Sequence, residues 1–128
     1  MRVLLDTNVL LRALIEPDNL ASKARSLIEN PDNVVLFSAA SIWEIAIKSA
    51  LGKADFHVTP REILDAAIAS GFEELPIWSA AALGVSDLPA IHRDPFDRLL
   101  VAQALHEPAR LITTDAALAA YSELVVCV

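Results

Sequence analysis

Four acidic residues stand in or at the ends of apolar runs, where a carboxylate needs a reason to be. Asp6 closes V-L-L-D, Glu44 lies within S-I-W-E-I-A-I-K, and Asp97 opens the run L-L-V-A-Q-A-L in H-R-D-P-F-D-R-L-L; Asp115 closes L-I-T-T-D. Burying a bare charge is very costly, so such groups must be paired, shift their pKa or hold a cation. Two unit charges about 4 Å apart repel by roughly 4 kcal/mol at an effective dielectric near 20, so several carboxylates brought together call for protons or a divalent ion. Oxygen donors select hard ions, Mg²⁺ or Mn²⁺, and no His or Cys spacing suits zinc. A carboxylate-held Mg²⁺ with open positions binds phosphates, lowers the pKa of water and supports in-line displacement at phosphorus. The chemistry these residues point to is metal-dependent phosphoester hydrolysis.

Each acid also has an ordinary explanation. Asp6 and Asp115 could simply cap the helices that follow them, and Glu44 stands four residues before Lys48, the favourable order for a surface ion pair. Asp97 fits a first-turn acid favoured by the helix dipole. Projected at about 100° per residue, however, Asp97 shares its side with Leu100, Val101 and Ala104, while Arg98, Gln103 and His106 point elsewhere. Asp94, followed by Pro95, reads as an N-cap with proline in the first turn. His57, His92 and His106 are scattered and read as ordinary surface or interface histidines.

The elements that must position these side chains follow from the apolar pattern. V-L-L before Asp6 has the character of a strand buried on both faces, and the run after Thr7-Asn8 has helical spacing. Helices are predicted over 20–29, 38–51 with Gly52 at C′, 60–70 with Thr59 as cap, 79–85, 94–106 and 116–121. Strands are predicted over 34–37, 111–113 and 124–126, with F-E-E-L-P as a short edge strand. Residues 52–60 read as a mobile connection. Strands alternating with helices predict an α/β fold with a short, mainly parallel sheet flanked by helices. In such sheets ligands bind beyond the carboxyl ends of the strands. Asp6 and Asp115 leave two strands there directly, and the helices carrying Glu44 and Asp97 begin at the same edge.

The chain has 128 residues, is 55% apolar and contains three glycines, which suits one domain over 1–128 with a sizeable core. Arg2 and Asp6 interrupt any signal peptide or membrane span at the start, so a cytoplasmic location is expected. Cys127 in V-V-C-V reads as a small buried hydrophobe. Trp43, Trp78 and Phe96 read as core packing, with partner anchoring as the alternative. The net charge of −7 argues against indiscriminate adhesion to nucleic acid or an anionic membrane. Two divalent ions would offset four of those charges, and Arg12, Lys48, Lys53, Arg93 and Arg98 are candidate phosphate contacts.

L-L-D-T-N-V-L-L at 4–11, S-I-W-E-I-A-I-K at 41–48, H-R-D-P-F-D-R-L-L-V-A-Q-A at 92–104 and L-I-T-T-D at 111–115, in that order, resemble the PIN-domain ribonucleases. More narrowly, they resemble the VapC-type toxins of type II toxin–antitoxin systems. That resemblance implies a three-layer PIN-like fold with an acidic pocket of Asp6, Glu44, Asp97 and Asp115 holding Mg²⁺ or Mn²⁺. It further implies RNA cleavage that leaves a 5′-phosphate and a 3′-hydroxyl. Asp6 and Asp97 would be the principal metal ligands; Glu44 would help hold a metal or accept a proton, and Asp115 would complete the shell or a second site. Asn8 and Thr114 match polar positions that orient water or neighbouring carboxylates. A homodimer and a small antitoxin partner are also implied.

Rival readings are a phospho-accepting receiver domain, a haloacid-dehalogenase-type phosphatase and a catalytically silent PIN domain that binds antitoxin or RNA. The first wants adjacent acids after the first strand and a late lysine, and the second wants an Asp two residues after Asp6. Here Asp6 is followed by Thr7-Asn8, and Thr113-Thr114-Asp115 supplies no lysine.

Overall fold

The computed structural model describes residues 1–53 and 57–128; part of the 52–60 connection therefore lies outside the described residues. Among them, β1 (Arg2–Leu5), β2 (Val34–Ser38), β3 (Glu73–Leu75), β4 (Arg110–Thr113) and β5 (Val125–Cys127) form one sheet in the order β3-β2-β1-β4-β5. Every pairing is parallel. The expected α/β architecture is present, and the sheet is parallel throughout.

Each central strand has two buried faces, and alternation divides its residues between two cores. Val3 and Leu5 of β1, Val35 and Phe37 of β2 and Ile112 of β4 pack with α1 (Thr7–Ile15), α2 (Ser22–Glu29), α3 (Ala39–Ala50) and α4 (Pro60–Ala69). Leu4, Leu36 and Leu111 face the other way, onto Leu100, Val101 and Ala104 of α6 (Pro95–His106). The shorter α5 (Ser79–Gly84) packs on α6.

Helix ends follow the local chemistry. Thr59 and Glu62 form a capping box at α4, and Gly52 takes φ 68° just beyond α3, the left-handed conformation expected at C′. The predicted helix at 116–121 is a 3-10 turn, Ala116–Ala120.

Three expectations about burial fail. Cys127 is exposed, at the far end of the short edge strand β5, beyond Val125, which is buried in the core. Trp43 and Trp78 are 58% and 56% exposed and do not pack the core. Gln103, projected away from the apolar stripe, is buried: its Oε1 accepts the Ser38 hydroxyl at 2.6 Å and its Nε2 donates to the Pro76 carbonyl at 3.2 Å. With the sheet on one side and α5 and α3 on others, α6 buries a wider arc than a single stripe.

Candidate active site

The order of the sheet places β1 beside β4, with chain connections leaving in opposite directions, and that switch point opens a crevice at the carboxyl edge. Asp6 sits in it. Its N–H donates to the Ile112 carbonyl of β4, so the residue is pinned to both strands. Its Oδ1 accepts the Val9 N–H at 2.8 Å, capping α1, and its Oδ2 accepts the Thr113 hydroxyl. Asp6 is thus both cap and pocket lining. Burial, followed by the nearby Glu44 charge, raises its pKa above the ordinary carboxylate value, against the hydrogen bonds from Thr113, Val9 and Thr114.

Glu44 reaches the same place from α3 and is buried. Thr7 Oγ1 donates to its Oε1 at 2.7 Å, and Lys48 Nζ to its Oε2 at 2.7 Å. The i,i+4 pair exists, and it faces the pocket rather than only the solvent. Glu44 in turn raises the Lys48 pKa, so the ammonium stays charged at the cleft.

Asp97 enters from the first turn of α6. Its side chain is 23% exposed, while Leu100, Val101 and Ala104 beneath it are buried, so it occupies the open end of the stripe. Partial burial and the neighbouring Asp94, Asp6 and Glu44 charges push its pKa up to about 6, with His92 pulling the other way. Asp94 is the expected cap, accepting the Phe96 N–H at 2.8 Å, and it also lines the cleft and loads Asp97 with charge.

Asp6, Thr7, Asn8, Glu44, Lys48, Asp94 and Asp97 line one cleft of about 80 Å³. Asp115 stands outside that lining, at the rim. Its Oδ1 accepts the Ala117 N–H at 3.0 Å, and its Oδ2 lies 2.9 Å from His92 Nε2, which is itself 3.7 Å from Asp97 Oδ2. One atom each from His92, Asp97 and Asp115 falls within 4.8 Å of the others. The four predicted acids therefore form a floor of Asp6 and Glu44 and a rim of Asp97 and Asp115, with Asp97 common to the cleft and the rim.

Sequence reasoning missed several members. His92 is part of the site, in contrast to His57 and His106, which are exposed as expected. The hydroxyl on Asp6 belongs to Thr113; Thr114 contributes its backbone N–H, and Asn8 lines the cleft from an exposed position. Arg98 is not available to phosphate, since its guanidinium is bound to backbone carbonyls and to Tyr121.

The PIN domain family profile matches residues 3–124. The chain belongs to the PIN-domain family. PIN domains are generally nucleases and generally use divalent metals. Among solved structures, the chain is similar to VapBC2 from Rickettsia felis, determined bound to a DNA fragment from their promoter, at TM-score 0.71 and 20% identity, covering 98% of this chain and 96% of that one. It is also similar to FitAcB from Neisseria gonorrhoeae, at TM-score 0.65 and 17% identity, covering 98% and 96% respectively. These likenesses speak for the PIN fold. No curated protein matches. Among the described residues, no helix of this PIN domain is long and apolar enough to cross a membrane.

Proposed function

We propose that the chain is a single-domain, metal-dependent endoribonuclease of the VapC type, acting on RNA phosphodiester bonds with Mg²⁺ or Mn²⁺. The observation that carries this reading is the position of Asp97, whose carboxylate lines the cleft of Asp6 and Glu44 and also groups with Asp115 at its rim. The donors present fit a hard divalent ion. They are carboxylate oxygens, and the partial burial and charge crowding that raise the Asp97 pKa are a penalty a cation would relieve.

Asp6 and Asp97 are the principal candidate ligands, with Glu44 and Asp115 completing the set. When bound, the ion would lower the pKa of water and offset the charge that develops on the phosphate. The chain's own residues do the rest. Val9 and Thr113 fix the Asp6 carboxylate, and Thr7 and Lys48 fix that of Glu44. With both oxygens already accepting hydrogen bonds, Glu44 orients the floor of the site. Lys48, half in solvent at the cleft, offers a fixed positive charge to a phosphate oxygen. Water adds to phosphorus as the bond to the 3′ oxygen breaks, giving a 5′-phosphate and a 3′-hydroxyl; one proton passes to a site acceptor and one is returned to the leaving oxygen.

The same reading includes a cytoplasmic homodimer neutralised by a small antitoxin. Half-buried Phe96, packed edge-on against exposed Trp43 with ring centroids 5.1 Å apart, and exposed Trp78 are surface available to partners.

The test is cleavage of structured RNA by the purified chain with Mg²⁺ or Mn²⁺, beside Asp6→Ala, Asp97→Ala and a chelated control. Cutting is expected only from the parent with metal. Equal cutting by the three proteins would remove the assignment.

A further inference from the structure

His92 precedes α6 and is half-buried beside the rim acids. Its Nδ1 accepts the backbone N–H of Asp94 at 3.1 Å, and its Nε2 lies 2.9 Å from Asp115 Oδ2. A ring nitrogen that accepts an N–H carries no proton, so the ring hydrogen sits on Nε2 and points at Asp115. In that tautomer Nε2 has no lone pair for a cation. Ligation through Nε2 would move the hydrogen to Nδ1, against the Asp94 N–H, and would disturb the turn from which Asp94 caps α6.

The His92 backbone is anchored as well. Its N–H donates to Tyr121 Oη at 2.8 Å, and the same oxygen accepts from Arg98 Nη1 at 3.1 Å. Arg98 is held by the Pro89, Val85 and Leu88 carbonyls at 2.9, 3.1 and 3.4 Å, so its fork clamps the segment leading to His92. With Oδ1 held by Ala117 and Oδ2 by His92, the partly exposed Asp115 side chain is confined to one orientation.

We propose that His92 is a positioning residue, braced by Asp94, Tyr121 and Arg98, that aims Asp115 at the space shared with Asp97 and does not itself bind the metal. This rests on the reading of the acids as a divalent-metal site. An outer hydrogen-bond partner of this kind orients ligands, and its loss typically weakens metal binding by roughly 10- to 100-fold.

The whole chain, labelled with ¹⁵N, provides the first test, since long-range ¹H–¹⁵N spectra of imidazoles distinguish a hydrogen on Nε2 from one on Nδ1. The Nε2–H form is expected for His92 both without metal and at saturating Mg²⁺; a shift of the hydrogen to Nδ1 on adding Mg²⁺ would make His92 a ligand and overturn the proposal. Calorimetric titration with Mg²⁺ gives the second. His92→Gln carries an amide nitrogen near the Nε2 position and should bind close to the parent, whereas His92→Asn, too short to reach Asp115, should bind about 10- to 100-fold more weakly. Tyr121→Phe should fall between them with the His92 signal broadened. If both His92 variants match a metal-binding parent, the positioning role is lost and the metal site stands. If the parent binds neither Mg²⁺ nor Mn²⁺, the metal reading fails and this proposal with it.

Discussion

Asp6 and Glu44, on the floor of the cleft, have both carboxylate oxygens engaged by donors from this chain. Asp97, at the rim, has no hydrogen bond to its carboxylate among the described residues, and its pKa is pushed up to about 6. Carboxylates thus do two kinds of work. Floor acids are built into the fold and cannot be removed without consequences for it. Asp97 is held by little except its own helix, and partial burial together with the neighbouring charges penalises its ionised form.

Removing Asp97 should therefore separate function from stability most cleanly. Asp97→Asn is expected to lower RNA cleavage by about 10³-fold, the order expected when several kcal/mol of metal-borne stabilisation is lost, with a melting temperature equal to or above the parent's. Asp6→Ala should lose cleavage to a similar extent and also lose about 1–2 kcal/mol of stability as the α1 cap disappears. Denaturant titration of both variants checks the contrast, and equal destabilisation by the two would erase the floor and rim distinction.

Acidity offers a smaller effect. A carboxyl whose folded pKa lies above its unfolded value binds its proton more tightly when folded, so its contribution favours folding at low pH and is lost as pH rises. For Asp97 that loss runs between about pH 4 and 6, and Asp6 adds in the same direction. Metal-free protein should melt at a higher temperature at pH 5 than at pH 7.5, and Mg²⁺ should raise the melting point more at pH 7.5. In Asp97→Asn the pH difference should shrink; an unchanged slope would assign it to other groups. Smallest of all, Lys48→Met removes a half-exposed ion-pair partner and should cost about 1 kcal/mol or less, with a raised KM for RNA as its clearer sign.

How much of this was legible in the residues depended on the range of the interaction. Apolar runs mark β1, β2 and β4, and the rule that ligands gather beyond the carboxyl ends of parallel strands brings Asp6 and Asp115 to one edge. Gly52 and Thr59 marked helix ends through backbone chemistry carried by one or two residues. His92 was hidden because its place depends on Arg98 and Tyr121, the latter 29 residues away, clamping a loop that has no periodicity to read. Thr113 was passed over for Thr114 because which hydroxyl meets Asp6 is decided by the pairing of β1 with β4, a register that neither strand states alone. Gln103 looked like a polar surface residue until Ser38 and Pro76, from other elements, supplied its partners.

The ladder joining residues 3–5 to 110–112 ties the first strand to a segment made much later. During synthesis Asp6 emerges well before Asp115, and nothing holds the first acid against Thr113 until the fourth strand has emerged. On the reading proposed above, a growing chain would therefore lack a complete cleft until that strand is made.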